Sequence, residues 1–420
     1  MYEPVLLPAI PELHDIDVYE ARRGYQHARK AFGLTSEQVI AEIKSSGLRG
    51  RGGAAFPTGL KWSFMPKQSG KPKYLCVNGD ESEPGSFKDR QIFEFNPHLL
   101  IEGILIAGYA MGITSAYIYI RGEYEHWVQC MERAIAEAYA KGYAGPRMRE
   151  TFGIEYAIDI YVHRGAGAYI CGEESSLMNS IEGKRPYPRV KPPFPAQAGL
   201  WGCPTTINNV ETIANIPVIM DRGAAWYSNI GAEKHPGPIL YGISGHVNKP
   251  GVYELPTGML LTELIEDVAG GVRGNKRIKM VIPGGSSMPP LRGDQLEGVR
   301  MDAESLKAVG SAIGTAGVIV MDEDTDLLRV LARITQFYWI ESCGQCTPCR
   351  EGTGWMLKVL NRIRDGQGRL EDLDLLVSVA NNIEGNTVCA LGDAAAWPVR
   401  FTIQRFRGEL EAEMTRKRAG

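Results

Sequence analysis

Cys343-Gly-Gln-Cys346-Thr-Pro-Cys349 sets three thiols at C-x2-C-x2-C spacing. Three thiolates spaced this way wrap one corner of an iron–sulfur cube, and the fourth ligand arrives from elsewhere in the chain. Structural zinc normally takes two separated cysteine pairs, which are absent here. Cys389 is the expected fourth ligand, because it lies in a Gly/Asn-containing turn just before the last helical segment. Cys349 is likewise expected to precede a helix, so two positive helix ends would face an anionic cluster. Cys76, Cys130, Cys171 and Cys203 have no cysteine partner nearby and read as buried, inert thiols.

A second constellation runs over residues 47–61, Gly-Leu-Arg-Gly-Arg-Gly-Gly-Ala-Ala-Phe-Pro-Thr-Gly-Leu-Lys. Without Cβ atoms, glycine backbone can turn its N–H groups toward a phosphate, and Arg49, Arg51 and Lys61 add charge for the same anion. Gly50-x-Gly52-x-x-Ala55 formally fits a dinucleotide fingerprint, but such a fingerprint follows a strand and opens a helix. Here the loop follows a helix that starts at the capping box Thr35-x-x-Gln38 and ends at Gly47. Taken alone, the loop is open to two readings, a phosphate cradle or a structural turn.

The elements around these two sites follow from periodicity. Strands are expected at 73–78, 116–120 and 157–162, and helices at 97–112 (capped by Asn96), 123–141 and 172–182. Strands alternating with helices imply right-handed crossovers and a parallel sheet. The loops 78–85, 121–122 and 164–174 then share the edge where open α/β sheets bind ligands. Residues up to about 30 read as an arm over the core, and the proline- and aromatic-rich stretch 185–204 as an ordered lid. A second unit starts near residue 238: strands at 240–244 and 252–255, a helix at 257–269, then strands at 279–282 and 317–321. This order suggests a small β-grasp domain without a titratable constellation, and a spacer role. From residue 324 four helical segments follow, at 326–340, 352–364, 370–383 and 391–407, the pattern of a four-helix bundle. The expected domains are 1–236, 237–323 and 324–420.

With 420 residues and 44% hydrophobic content, the chain can bury cores for two or three domains. Its 46 basic and 49 acidic residues give a net charge of −3, which offers nucleic acid no global field. No apolar run is long enough to span a bilayer; the best, 99–110, is broken by Glu102. Neither a basic leader nor an Arg-rich amphipathic start is present, and the eight cysteines read as reduced thiols, so a cytoplasmic location is expected.

A glycine loop, an acidic loop after a buried strand and a cubane cluster suggest conversion of two-electron into one-electron chemistry, which flavins perform. At this point the chain closely resembles the NADH-binding, FMN-carrying flavoprotein subunit of respiratory complex I, from about residue 35 to 397. The resemblance rests on GLRGRGGAAFPTGLKW, NGDESEPGSFKDR, GAYICGEESSLMNSIEG, PTTINNVET and ESCGQCTPCREG. It implies a Rossmann-like parallel-sheet α/β domain for FMN and NADH, followed by a β-grasp (ubiquitin-like) domain and a four-helix bundle carrying a [4Fe-4S] cluster. FMN is expected on Gly50, Gly52, Gly53, Lys61, Asn78, Asp80, Glu81, Tyr169, Gly172, Glu173, Asn208, Asn209 and Thr212. Phe56, Phe64 and Phe194 are expected to hold the adenine of NADH, with Glu83, Glu174 and Lys191 as its polar contacts. The cluster ligands are Cys343, Cys346, Cys349 and Cys389. No side chain is expected to act as acid or base on the nicotinamide. The implied partners are a thioredoxin-like [2Fe-2S] subunit and a large iron–sulfur subunit, at the inner face of the cell membrane and without insertion into it.

Ala55 departs from the glycine common in that family, and its methyl group is expected to crowd the loop near the dinucleotide. The closest rival is the flavoprotein subunit of an NAD-reducing hydrogenase or formate dehydrogenase. A membrane ferredoxin:NAD oxidoreductase subunit would need two complete C-x2-C-x2-C-x3-C-P runs, which are missing. A non-catalytic scaffold stapled by zinc is the alternative from another class.

Overall fold

Four parallel strands organise the first half of the chain: β1 Tyr74–Gly79, β2 Ser115–Ile120, β3 Asp159–Arg164 and β4 Thr205–Asn209, in spatial order β3-β2-β1-β4. They belong to a computed structural model that describes residues 2–419, so positions 1 and 420 of the expected domain ranges lie outside the described residues. Helix Pro97–Met111 connects β1 to β2, and helix Glu125–Ala140 lies between β2 and β3. The chain then returns across the sheet to place β4 on the other side of β1. That reversal opens a crevice at the carboxyl ends of β1 and β4.

β4 was not among the expected strands. Its sequence, Thr-Thr-Ile-Asn-Asn, carries no apolar run, yet it is buried, with specific partners for Thr205, Asn208 and Asn209, while Thr206 Oγ1 has none. Thr205 Oγ1 accepts from Leu200 N at 2.9 Å, and Asn208 Oδ1 accepts from the Trp62 indole at 3.1 Å. Asn209 then caps helix Val210–Arg222, accepting from Glu211 N at 3.0 Å. The capping box at Thr35 and Gln38 opens helix Ser36–Ser45 as expected. Asn96, by contrast, does not cap the helix that Pro97 opens; its side chain donates to Leu6 O at 2.8 Å. The N-terminal arm contains two short helices, Ile16–Ala21 and Gln26–Phe32, tied to buried Glu102 through Tyr19 OH and Ala28 N.

The second unit is a mixed sheet of β5 Pro238–Gly245, β6 Gly251–Pro256, β7 Ile278–Ile282, β8 Leu291–Arg292 and β9 Gly317–Asp322, in order β8-β7-β9-β5-β6. Its central pair, β9 and β5, is parallel and the other pairs are antiparallel, as a β-grasp sheet requires. The expected helix is shorter than its apolar pattern: one turn, Leu261–Glu263, widens into π-type turns over Leu264–Val268.

Four helices complete the chain: Leu327–Glu341, Thr347–Arg364, Glu371–Ile383 and Leu391–Ala419. Their apolar stripes meet in a core that includes Leu331, Met356, Leu360, Leu376, Ile403 and Leu410. The second helix starts five residues earlier than its apolar spacing suggests, because Thr347-Pro348 supplies a helix start that periodicity does not register.

The N-terminal arm is strapped to the second unit by a single carboxylate. Glu254 on β6 accepts from Tyr2 OH at 2.6 Å and from the backbone N–H groups of Val5, Leu6 and Leu7 at 2.7, 2.9 and 2.8 Å. Glu254→Ala is expected to destabilise the protein by about 2 kcal/mol and to expose the arm to proteases, because its N–H groups lose their acceptor. Limited proteolysis with mass mapping checks this; an arm as resistant as that of wild type would refute the strap.

Candidate functional site

A cavity of about 510 Å³ opens at the β1/β4 crevice. Its α/β walls are Gly52 and Gly53 of the glycine loop, Asn78 near the end of β1 with Asp80 and Glu81 after it, Tyr169, Gly172 and Glu173 after β3, and Asn209 at the end of β4. Gly52 fits because a Cβ there would lie 3.0 Å from Asn209 Cβ. Asp80 Oδ2 is shielded from solvent and has no hydrogen-bond partner, and burial pushes its carboxyl up to about 7, with Arg121 pulling the other way. Such an orphan acceptor in a glycine-walled cavity suits a ligand rich in hydroxyl donors.

Other expected site residues hold the loop rather than the wall. Gly50 N donates to Phe56 O at 2.9 Å, and Thr212 Oγ1 accepts from Arg51 N at 2.8 Å. Asn208 is engaged by Trp62, as above. The arginines do not serve an anion in the cavity. Arg51 is buried, and its guanidinium donates to Pro236 O at 2.8 Å and Tyr227 OH at 3.3 Å, while Arg49 pairs with Glu304 at 3.6 Å. Glu81 reaches the cavity, but its carboxylate is occupied by Lys88 N and Asp89 N at 2.6 and 2.8 Å. Ala55 sits at φ +50°, in the left-handed region. The cost of its methyl group therefore falls on the backbone, about 1 kcal/mol, rather than only on a neighbouring ligand.

The residues expected to meet the dinucleotide lie outside the wall, apart from Glu83. Phe56 and Phe64 sit with ring centroids 6.2 Å apart, and with Phe194 they are 44%, 55% and 55% exposed. Glu174 lies between two cations, Lys61 Nζ at 3.4 Å and Lys191 Nζ at 2.5 Å. Burial raises its carboxyl, but Lys61 and Lys191 outweigh burial and hold it below the usual range. Glu173 caps helix Glu174–Ile181, accepting from Ser175 N at 2.8 Å and Ser176 N at 3.0 Å.

Cys343, Cys346, Cys349 and Cys389 surround a second, small cavity, together with Ser342, Ile170 and Leu391. Cys346 stands at the N-terminal boundary of helix Thr347–Arg364, so Cys349 lies within its first turn rather than ahead of it, as the sequence had suggested. Val388 N donates to Cys346 Sγ at 3.2 Å. Among the described residues, no three such side chains converge on a single ion. The other four cysteines are free thiols away from this cavity, and Cys76, Cys171 and Cys203 are buried. The two cavities share Ile170, Cys389 and Leu391, so one layer of side chains separates them.

Sequence reasoning missed three parts of the large cavity. Lys88 and Asp89 line it from a buried ion cluster in which Lys88 Nζ lies 2.6 Å from Glu211 Oε2 and 2.9 Å from Asp89 Oδ1. Gly284, Ser287, Met288, Gly314 and Thr315 reach in from the β-grasp unit, which is therefore no mere spacer. The turn Pro283-Gly-Gly-Ser-Ser after an apolar strand was the available signal. Asp393, Ala394 and Trp397 come from the last helix.

Fold and sites together define a class: an α/β flavin-type site joined through one wall to a four-cysteine cluster. Residues 43–218 match the Nuo51 FMN-binding domain, 240–330 the SLBB domain, and 329–413 the NADH-ubiquinone oxidoreductase-F iron-sulfur binding region. An NADH-quinone oxidoreductase F subunit of Rhizobium meliloti (strain 1021) is 52% identical over 421 residues, covering 100% of this chain and 99% of that protein. The corresponding F subunit of Rickettsia bellii (strain OSU 85-389) is 52% identical over 402 residues, 96% of each chain. Among solved structures, a chain of an NAD+-reducing [NiFe]-hydrogenase in the H2-reduced state superposes with a TM-score of 0.82 at 34% identity. The match covers 92% of this chain and 64% of that one. This chain belongs to the family of NADH-quinone oxidoreductase F subunits. Its cofactors are FMN and a [4Fe-4S] cluster, which the orphan acceptor at Asp80 and the four gathered thiols fit.

Because Cys346 lines only the small cavity, Cys346→Ser should lose or alter the cluster and keep FMN at wild-type stoichiometry. Cys389 lines both cavities, so Cys389→Ser should disturb cluster and flavin together. Iron, acid-labile sulfide and released flavin measure this; equal flavin loss in both variants would mean that the sites cannot be separated at residue 346.

The Asp80 carboxyl gives a pH prediction. A ligand hydroxyl donating to Oδ2 favours the charged form and lowers its pKa from the raised ligand-free value. Below about pH 7, binding must then expel a proton, so FMN affinity falls with falling pH by up to about tenfold per unit. Flavin fluorescence titrations should show this slope in wild type and a flat profile in Asp80→Asn. A slope kept by the variant would assign the proton elsewhere.

Proposed function

We propose that the chain divides at residues 236/237 and 323/324, and that its three units together oxidise NADH and pass electrons singly to partner subunits of a respiratory NADH:quinone oxidoreductase. The observation that carries this reading is the shared wall of Ile170, Cys389 and Leu391 between the two cavities. FMN, when bound, accepts a hydride as an electron pair and releases electrons one at a time, which no side chain does.

The chain's own residues bind, orient and exclude water. Gly50, Gly52, Gly53 and Lys61 hold the phosphate end of FMN. Asn78, Asp80, Glu81, Tyr169, Gly172, Glu173, Asn208, Asn209 and Thr212 form its pocket directly or through the loops that they fix. Phe56, Phe64 and Phe194 offer apolar faces for adenine, with Glu83, Glu174 and Lys191 as polar contacts. Ile170 and Leu391 keep the passage between the cavities apolar. No side chain is needed as acid or base, because the hydride moves between bound groups.

The protein works within a multi-subunit assembly, with a thioredoxin-like [2Fe-2S] subunit and a large iron–sulfur subunit as neighbours. It is peripheral to the inner face of the cell membrane; no helix among the described residues is long and apolar enough to cross one. The hydrogenase likeness supports a second reading, the flavoprotein subunit of an NAD-reducing hydrogenase. Purification from the native host, with identification of bound subunits and EPR after NADH addition, separates the two. A nickel–iron subunit in place of quinone-reductase subunits would favour the second.

Nucleotide choice tests the site itself. Two unit charges ~5 Å apart in an effective dielectric of ~20 interact by roughly 3 kcal/mol, so Glu174 opposes the 2′-phosphate of NADPH. Removing it also frees Lys191 to receive that phosphate. Glu174→Gln should therefore raise kcat/KM for NADPH relative to NADH at least about tenfold, with ferricyanide as acceptor. An unmoved ratio would remove Glu174 from nucleotide selection.

A further inference from the structure

Ser342 is the first residue beyond helix Leu327–Glu341, and its hydroxyl oxygen lies 3.1 Å from Cys349 Sγ. Gly344 N donates to the same oxygen at 3.4 Å, so one lone pair is engaged from the backbone side. Either the thiol or the hydroxyl can donate while Cys349 is protonated. Once the cysteine is a metal-bound thiolate it has no proton to give, and the hydroxyl is left as the donor. The side chain forms part of the cluster cavity wall, and Cys349 is 7% exposed, so water competes weakly for this contact.

We propose that Ser342 is a positioning residue for electron transfer, its hydroxyl donating to Cys349 Sγ and raising the reduction potential of the cluster. This rests on the assignment of Cys343, Cys346, Cys349 and Cys389 as cluster ligands. Reduction adds one electron and no proton, so charge on the ligating sulfurs grows. A hydrogen bond to sulfur strengthens as that charge grows and therefore favours the reduced form. The backbone bond from Val388 N to Cys346 Sγ, 3.2 Å long, acts in the same direction but cannot be removed by side-chain substitution. Ser342 is thus the adjustable donor of the pair.

The test is an EPR-monitored redox titration of the purified holoprotein, in wild type, Ser342→Ala and Ser342→Thr, with iron and sulfide content measured on each. Ser342→Ala should keep a full cluster whose equilibrium shifts roughly three- to tenfold toward the oxidised form, up to ~59 mV for one electron. Ser342→Thr, which keeps the hydroxyl, should titrate like wild type. A fully loaded alanine variant with an unmoved potential would overturn the proposal. An alanine variant that assembles no cluster while the threonine variant does would also overturn it, by making the hydroxyl an assembly element. Absence of the cluster signal from wild type would instead sink the ligand assignment.

Discussion

A carboxylate taken out of water must find donors, and the donors found by Glu83 come from distant parts of the chain. Its carboxylate accepts from Tyr169 OH at 2.7 Å and from Ser287 N at 2.7 Å, with Ser286 Oγ at 3.3 Å. Ser286 Oγ also lies 2.8 Å from the hydroxyl of Tyr338 on helix Leu327–Glu341. Desolvation raises the Glu83 carboxyl above its usual range, and these hydrogen bonds only partly offset it. Acidic loop, cavity wall, β-grasp turn and helical bundle are thereby registered on one side chain. Gly285 makes the closure possible: at φ +94° its missing Cβ would stand 2.6 Å from Glu83 Cγ. The cavity has walls from all three units because this junction brings them together.

The glycine loop is supported in a similar way, from behind. Arg51 reaches back to Pro236 and Tyr227, and its backbone N–H is fixed by Thr212. Asn209, against which Gly52 packs, donates to Asp89 Oδ2 at 2.6 Å, and Asp89 pairs in turn with Lys88. A buried ion cluster contributes little net stability when complete, but it strongly penalises any arrangement that leaves one charge unpaired. Such a cluster therefore suits a loop whose backbone N–H groups must keep one orientation. Cations near an anion site need not touch the anion; here they hold the backbone that faces it.

This explains which parts of the site were legible in sequence. That Cys343, Cys346, Cys349 and Cys389 would gather around one cavity was legible because three share a short, fixed spacing and the fourth lies in the same helical unit. Strands β1 to β3 and most long helices were readable from apolar periodicity within about five residues at their ends, but the last helix, expected to end at 407, runs on to Ala419. β4 was hidden because its stability comes from specific polar pairs made with Trp62 and Leu200, which no local pattern announces. The contribution of the β-grasp unit was hidden for a related reason. Gly284, Ser287, Met288, Ala312, Gly314 and Thr315 form a wall, and mostly small wall-forming residues look like any turn. Arg51 was misread because charge suggests an anion, whereas its direction depends on Pro236 and Tyr227, almost two hundred residues away.

The single layer between the cavities places a strong demand on residue 389. It must present a thiol to one side while its neighbours Ala390 and Leu391 shape the other. A free loop would not keep both surfaces in register, so the turn is clamped at its start and runs at its end directly into helix Leu391–Ala419. Glu384, before the turn, accepts from the Trp397 indole at 2.7 Å and pairs with Arg400, and Gly385 N donates to Asp393 Oδ1 at 2.8 Å. Trp397, Asp393 and Ala394 themselves line the large cavity. Two of the residues that hold this turn, Asp393 and Trp397, are therefore also walls of the large cavity, both in the first two turns of one helix. The helix thereby anchors the turn between the two sites, so their spacing is held by clamped side chains rather than by a free loop.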